Sequence, residues 1–444
     1  MPPPKKRNSA QPVSAADRIG ALPDSLLHHV LSFLPAQAAV HTCLLAQRWR
    51  HLWRSTTGLR IVALHNQYSY APVQDIRKFV DQLLTLRELT GLETVKIKFN
   101  KFVEEDQPSV NQWIRFAVMC KVQVLTLQVF PHLHLDDLPI VSRHLRTLNL
   151  TGVALQVTIL DFANCPALEN LKMSLCDINA GRISSRSLKH LSISGCQSDL
   201  DCGVQVSTPG LISLKLVGFM GTTPFLENMP LLETAYVDLN QDCEDVCLNY
   251  DSGAPCGANN YACEDCVLNN QYRNSDSVLP GGVSGAKHLK LISETGIFVF
   301  KRDLKHCPTF SKLRTLLLNE YWCEPPDFDP LAYILRNSPV LEKLTLQLFS
   351  EGPKHEVEMK GSYSPMEGRS EISEHLKIVE VKCNVDNKII IELLKFLLGF
   401  NIRKQTNDTF HAPCIMKIAF ICEKGTKKAN GGEETLEFIC IVWC

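Results

Sequence analysis

Hydrophobic positions along the chain follow two different periods. In LPDSLLHHVLSFLP, residues 22 to 35, Leu26, Leu27, Val30, Leu31 and Leu34 recur at i, i+1, i+4, i+5 and i+8, one face of a helix that Phe33 widens. Asp24 or Ser25 can cap its start, and Pro35 ends it because proline lacks a donor and clashes with the preceding turn. Val40, Cys43 and Leu44, then Trp49, Leu52 and Trp53, repeat the helical spacing, so two or three short helices are expected within this stretch. A unit of about 40 residues buries too little of its own surface to be stable without a disulfide, a metal or a partner. Neither a disulfide framework nor a metal-ligand spacing is present in it. Each fully buried Leu, Val or Phe contributes roughly 1.5–3 kcal/mol, so part of this apolar surface is expected to belong to another protein.

Downstream the period changes to two. The phrases LRTLNL (from Leu145), LENLKM (Leu168), LKHLSI (Leu188), LISLKL (Leu211), LRTLLL (Leu313) and LEKLTL (Leu341) share one pattern, with looser copies from Leu92, Val122, Leu232, Ala286 and Leu376. Starts at 122, 145, 168, 188, 211 and 232 lie 20 to 23 residues apart, and later spacings stretch to 27, 28 and 35. Such spacing is that of leucine-rich repeats, in which alternate residues of a short strand point to a shared interior. One repeat cannot bury its apolar edge; stacked repeats can, as a curved solenoid with parallel strands on the concave side and short helices on the convex side. Cys176, Cys196 and Asn384 occupy the position where this pattern takes Asn or Cys inside the turn. Prolines in NCPALE, NMPLLE, NSPVLE and HCPTFSKL precede strands and are read as stopping a convex-side helix, and FDPLAYILRNSP (Phe328 to Pro339) reads as one such helix complete. The fold class is therefore α/β.

LPDSLLHHVLSFLPAQAAVHTCLLAQRWRHLW resembles an F-box, the helical module that docks on the Skp1 adaptor of SCF-type ubiquitin ligases. The resemblance implies that Leu22, Pro23, Leu26, Leu27, Val30, Leu31, Leu34, Leu45, Trp49 and Trp53 form the docking surface and the small core behind it. Ala46-Gln47 and His41 depart from the family pattern at rim positions. An ordinary helical hairpin packed on the rest of the chain is the alternative. RWRHLWR could also be a basic, aromatic-interleaved nucleic-acid patch, but tryptophans at i and i+4 suit packing better than base stacking, and no nucleic acid is expected.

An F-box followed by irregular leucine-rich repeats resembles the plant F-box/LRR class, particularly its grass members. That implies a non-catalytic substrate receptor, joined through Skp1 to a cullin and holding an unknown protein on its repeats; the other reading is a repeat scaffold without a ligase. The expected layout is a basic, Pro-rich tail at 1–16, an F-box at 17–60, a solenoid at 74–399 with a Cys-rich insertion at 240–285, and a segment of uncertain structure at 400–444. Outward strand positions Arg146, Thr147, Asn149, Glu169, Asn170, Lys172, Lys189, His190 and Ser192 are the candidate target contacts, and their mixed charge signs suit a protein better than a polyanion.

Composition adds limits. The 444 residues carry a net charge of −1, so no global field steers the chain toward nucleic acid or an anionic membrane. No apolar stretch follows the polar start, so a signal peptide is not expected and the 18 cysteines suit a reducing compartment. With Lys5-Lys6-Arg7 resembling a short import signal, the expected location is nucleus and/or cytoplasm. IIIELLKFLLGF, residues 389 to 400, is too short for a membrane helix and reads as a core helix. Cys263 and Cys266 form a single C-x-x-C pair among scattered Cys243, Cys247 and Cys256, a weak metal candidate against a polar inserted loop. No phosphate-cradling glycine motif or nucleophilic cysteine motif is present, so no cofactor and no catalysis are expected.

Overall fold

The computed structural model describes residues 19, 22–62, 64–66, 69–70, 72–134, 140–200, 203–240, 242–244, 279–294, 307–323, 328–348, 373, 375–384, 393, 396–397, 417–423 and 437–443. Every repeat phrase becomes a strand beginning two residues after its first position: Leu145 leads into Thr147–Leu155, Leu168 into Asn170–Ser174, Leu188 into His190–Ser194, Leu211 into Ser213–Val217. These strands stack in parallel, in unbroken phase. Leu148 faces Leu171, then Leu191, Leu214, Ala235, Leu289, Leu316, Leu344 and Val379 on successive strands, and all of them are buried. A slip by one residue would turn this whole row outward, which is why the apolar alternation fixes the register.

The ladder is longer than expected at both ends. It starts with Gly58–Val62, which pairs with Thr94–Asn100, whereas position 74 lies in the helix Val73–Leu86. It continues past 399 into Lys417–Glu423, parallel to Ile378–Asn384, and Glu437–Trp443 finishes it antiparallel. The segment 400–444 thus contributes two sheet strands. Of the expected helix at 389 to 400, Leu393, Phe396 and Leu397 are described; Leu393 and Leu397 are buried, and Phe396 lies 5.0 Å from Phe328.

The far side of the core departs from the expected row of helices. Helices occur where the spacing is long: Val73–Leu86 and Gln107–Met119 between the first strands, and Asp329–Arg336 in the repeat of 28 residues. Where spacing is 20 to 23, the return path is a second parallel ladder of Ile159–Asp161, Arg182–Ser184, Gln205–Ser207 and Phe225–Leu226. Short pieces Asp177–Ile178, Gln197–Ser198, Met220–Thr222 and Cys243–Glu244 pair along a third edge. The reason is length. A helix rises 1.5 Å per residue against about 3.3 Å for a strand, so a helix that returns the span of a five-residue strand needs roughly eleven residues, and with a turn of about three or four residues at each end it fills or exceeds what a repeat of 20 to 23 residues has left after its strand. Pro166 and Pro230 accordingly sit in turns after short extended segments, whereas Pro339 does follow a helix.

Each of four successive repeats has one left-handed residue at the same position, Gly152, Leu175, Gly195 and Gly218, with φ between 51° and 67°; the last three directly follow their front strands, while Gly152 lies within Thr147–Leu155. Gly152 is the tightest, because a Cβ there would stand 1.9 Å from the Val129 carbonyl oxygen. Gly152→Ala therefore combines left-handed strain of about 1–2 kcal/mol with a backbone clash, and the expected result is a loss of at least roughly 2 kcal/mol in denaturant unfolding. Ala at Gly218, where nothing comes closer than 3.9 Å, carries the strain alone and should cost less.

Candidate functional site

The front module starts with the helix Asp24–Ser32, entered from Pro23 and followed after Pro35 by the helix Ala36–His41. No side chain caps the first helix. Asp24, expected as a cap, instead receives the Arg48 guanidinium, with Nε at 2.9 Å and Nη2 at 2.5 Å from Oδ1, while Nη2 also reaches the Leu22 carbonyl at 2.7 Å. This clamp ties the segment after the second helix to the start of the first. The tryptophans do not share a helix face: Gln47–Arg50 and Leu52–Ser55 are separate 3-10 turns broken at His51. Both rings are nevertheless buried, so neither offers a face for base stacking.

The apolar residues of the first helix divide into two stripes. Leu27 and Leu31 point inward and are fully buried beside Trp49, Leu52 and Trp53, with Leu22 and Leu34 packed against them from the edge. Leu26, Val30 and Phe33, at i, i+4 and i+7, remain about half exposed on the outer side at 49%, 50% and 56%. Leu44 and Leu45, on the turn after the second helix, are exposed at 83% and 70%, and Pro23 is exposed too. Of the ten expected docking residues, Pro23, Leu26, Val30 and Leu45 are therefore available to a partner, while Leu27, Leu31, Trp49 and Trp53 form interior. Phe33 and Leu44 join the outward set. Their signal was present in the helical spacing, but a spacing argument alone does not say which of two adjacent leucines faces out.

The interior of this module is completed within the same chain, contrary to the expectation that it comes from a partner. Both helices pack on the Gly58–Val62 strand, placing Leu59 and Ile61 in the same core. Arg60 Nε donates to the Ser32 carbonyl at 3.1 Å and its guanidinium lies 5.4 Å from the Phe33 ring centre. Gly58 allows the approach, since a Cβ there would meet the Ser32 carbonyl oxygen at 2.6 Å. On the other side, buried Arg87 donates from Nη1 to the Trp53 carbonyl at 3.0 Å and to Thr56 Oγ1 at 3.1 Å, and from Nη2 to the Thr56 carbonyl. Burial brings its pKa down to about 10, and it is still the charged donor at neutral pH. No sequence motif marks Arg87; it stands alone after an amphipathic helix. Front module and sheet are thus joined by shared core and by a buried guanidinium, while the outer stripe keeps its apolar surface free.

The open face of the sheet carries the other candidate residues. Thr147, Asn170 and His190 are lateral neighbours, as are Asn149, Lys172 and Ser192 two residues further along. Asn149 Nδ2 reaches Thr126 Oγ1 at 3.2 Å and Asn170 Nδ2 reaches Thr147 Oγ1 at 3.3 Å. Arg146, Glu169 and Lys189 sit one residue before the strands, at the entry turns. There Lys189 binds Glu169 at 2.6 Å, and that hydrogen bond and charge hold the Glu169 carboxyl below its ordinary range. Lys287 with Glu233 at 2.7 Å and Arg314 with Glu342 at 3.5 Å repeat the pairing further along. The charges of mixed sign therefore neutralise one another at the edge, and the strand positions themselves carry positive charge.

Among the described residues no cluster of three or more His, Cys, Asp or Glu has the arrangement of a metal site. Cys247, Cys256, Cys263 and Cys266 lie outside the described residues, as does most of the expected insertion. Cys176 and Cys196 are fully buried in the turn positions expected for them, with Cys176 Sγ 3.3 Å from the Ser174 carbonyl. The hydrogen bond shared with Cys176, followed by burial, pushes the Cys196 thiol up, and burial pushes the Cys307 and Cys323 thiols up to about 12. Such thiols are packing groups rather than thiolate nucleophiles at neutral pH. Among the described residues, no helix is long and apolar enough to cross a membrane.

Comparison with known proteins points to the same two parts. Residues 19–59 match the F-box domain family. Over 360 residues the chain is 29% identical to the meiotic F-box protein MOF of Oryza sativa subsp. japonica, covering 74% of this chain and 71% of that protein. It is 27% identical over 392 residues to an FBD-associated F-box protein of Arabidopsis thaliana, covering 74% of this chain and 92% of the relative. A putative F-box/LRR-repeat protein of the same plant is 28% identical over 267 residues, half of this chain and 62% of the relative.

Proposed function

We propose, from the premise that this chain is a plant F-box protein with a leucine-rich-repeat type sheet, that it is the substrate-recognition subunit of an SCF-type ubiquitin ligase. A substrate-adaptor role is what the F-box and the F-box/LRR relatives support in general terms. The finer reading is that the outward stripe Leu26, Val30 and Phe33, with Leu44 and Leu45, docks a Skp1-like adaptor and through it a cullin, and that the open sheet face holds the protein to be ubiquitinated. The observation carrying it is the split along the first helix: Leu27 and Leu31 are satisfied in the internal core, yet Leu26, Val30 and Phe33 are left about half in water. Covering them is favourable by roughly 1.5–3 kcal/mol for each large side chain fully buried.

This reading assigns the chain no chemistry of its own. Lys5-Lys6-Arg7 and the abundance of cysteine motivate placing it in the nucleus and/or cytoplasm. The test is reconstitution: the purified chain mixed with a plant Skp1-like adaptor should elute from a sizing column as one complex, and cullin should join it. Separate elution of the two proteins at micromolar concentration would instead favour a repeat scaffold that never meets a ligase.

A further inference from the structure

The fourth position after each repeat phrase's start forms a row across the middle of the open face. From Arg60 it runs through Lys96, Thr126, Asn149, Lys172, Ser192, Lys215, Tyr236 and Lys290, each facing its neighbour in register. No carboxylate enters this row before Glu380, which is held by Lys343 at 2.8 Å and Lys382 at 3.9 Å. The contrast with the entry turns is what makes the row informative. There Lys189 and Lys287 find glutamates on the preceding repeat; here, among the described residues, Lys172, Lys215 and Lys290 have no acidic partner.

Tyr236 fixes the geometry at the centre. Its ring lies between two of the lysines, with Lys290 Nζ 4.2 Å and Lys215 Nζ 5.8 Å from the ring centre. Its hydroxyl donates to Asp238 at 2.8 Å, occupying the carboxylate on the adjacent row. Around this point the face forms an open groove of about 520 Å³ whose lining includes Lys215, Tyr236, His288, Lys290 and Thr315. His288 Nδ1 is 2.8 Å from Thr315 Oγ1.

We infer that this row binds an extended segment of the target protein bearing oxyanions at every third residue. The spacing carries the inference. Lys172, Lys215 and Lys290 stand on every second strand, and neighbouring strands lie about 4.8 Å apart, so the ammonium groups repeat at roughly 9–10 Å. A target segment in polyproline-II conformation advances about 3.1 Å per residue with three residues per turn, so side chains three residues apart share one face and repeat at about 9.3 Å, which meets that interval; in a β-strand they would point to opposite faces. Oxyanions can come from Asp and Glu or from phosphorylated Ser and Thr, which share the chemistry. The inference rests on the reading of this face as the target-binding surface.

The test uses the full chain in complex with its adaptor and three fluorescent peptides of equal charge and length, measured by anisotropy: one with glutamates at every third position, one with phosphoserines there at matched total charge, and one with its glutamates in a single block. The spaced peptides should bind at least about tenfold more tightly than the blocked one, and Lys215→Glu with Lys290→Glu should remove that preference. Tighter binding of the phosphoserine peptide identifies phosphorylation as the source; equal binding identifies carboxylates. Lys215→Gln with Lys290→Gln, with unchanged circular dichroism, controls for folding. Equal affinity for spaced and blocked peptides, or wild-type binding by the charge-reversed variant, overturns the inference. Adaptor affinity measured on the same samples keeps the two readings apart: it should be unaffected by these substitutions, and a failure of adaptor binding in the wild type would count against the ligase reading alone.

Discussion

Leu26→Asp combined with Leu45→Asp is expected to weaken binding to a Skp1-like adaptor by at least about a hundredfold while leaving the fold intact. Both side chains are largely in water in the free chain, at 49% and 70% exposure, so replacing them removes little from the internal core. In the complex each would lose the share of the roughly 1.5–3 kcal/mol of full leucine burial that its exposure in the free chain leaves to be gained, together about 2–3.5 kcal/mol, or roughly 1.3–2.6 decades in affinity. A carboxylate facing an apolar partner adds a desolvation cost in the same direction. Titration calorimetry gives the affinity, and denaturant unfolding of the same sample should shift by no more than about 0.5 kcal/mol per site.

Trp53→Ala should do the opposite, destabilising the molecule first and docking only as a consequence. Trp53 is 6% exposed in the core shared by both helices and the Gly58–Val62 strand, and its Nε1 donates to the Arg50 carbonyl at 3.1 Å. Truncating a buried tryptophan costs about 3–5 kcal/mol through lost transfer energy and the cavity left behind. The same segment also presents its carbonyl to Arg87, so loosening it threatens the hydrogen bonds of a buried guanidinium. Limited proteolysis should show early cutting between residues 22 and 56, with the downstream sheet resisting longer. Wild-type resistance there would mean that Trp53 is not part of the interior. For the same reason Trp49, 7% exposed, makes a poor probe of docking: its removal mixes folding with binding.

Much of the architecture was legible because burial leaves a periodic trace. Alternate apolar residues dictated the front strands from Thr94–Asn100 to Ile378–Asn384, and the helical spacing around Leu27 and Leu31 dictated the first helix. The far side was not legible in the same way, since a two- or three-residue strand such as Arg182–Ser184 carries too short a pattern to separate from a turn. Spacing held the missing information: 20 to 23 residues leave no room for a helix, 28 do. The first strand, Gly58–Val62, was hidden because its phrase merges with the end of the front module. In the candidate site, the sequence placed Glu169 and Lys189 among outward residues without revealing that they pair across repeats. Only the register showed Lys172, Lys215 and Lys290 as one line. Arg48 and Arg87, which hold the front module together and to the sheet, make contacts 24 to 34 residues away, beyond any local pattern.

The most direct test is amide hydrogen exchange of the full chain with and without a Skp1-like adaptor. The account predicts that exchange slows in peptides covering Asp24–Ser32 and Thr42–Leu44 with the adjoining Leu45, and stays unchanged in the strands bearing Lys172, Lys215 and Lys290. Protection on those strands with none on the two front segments would contradict it, because the adaptor would then occupy the surface assigned to the target.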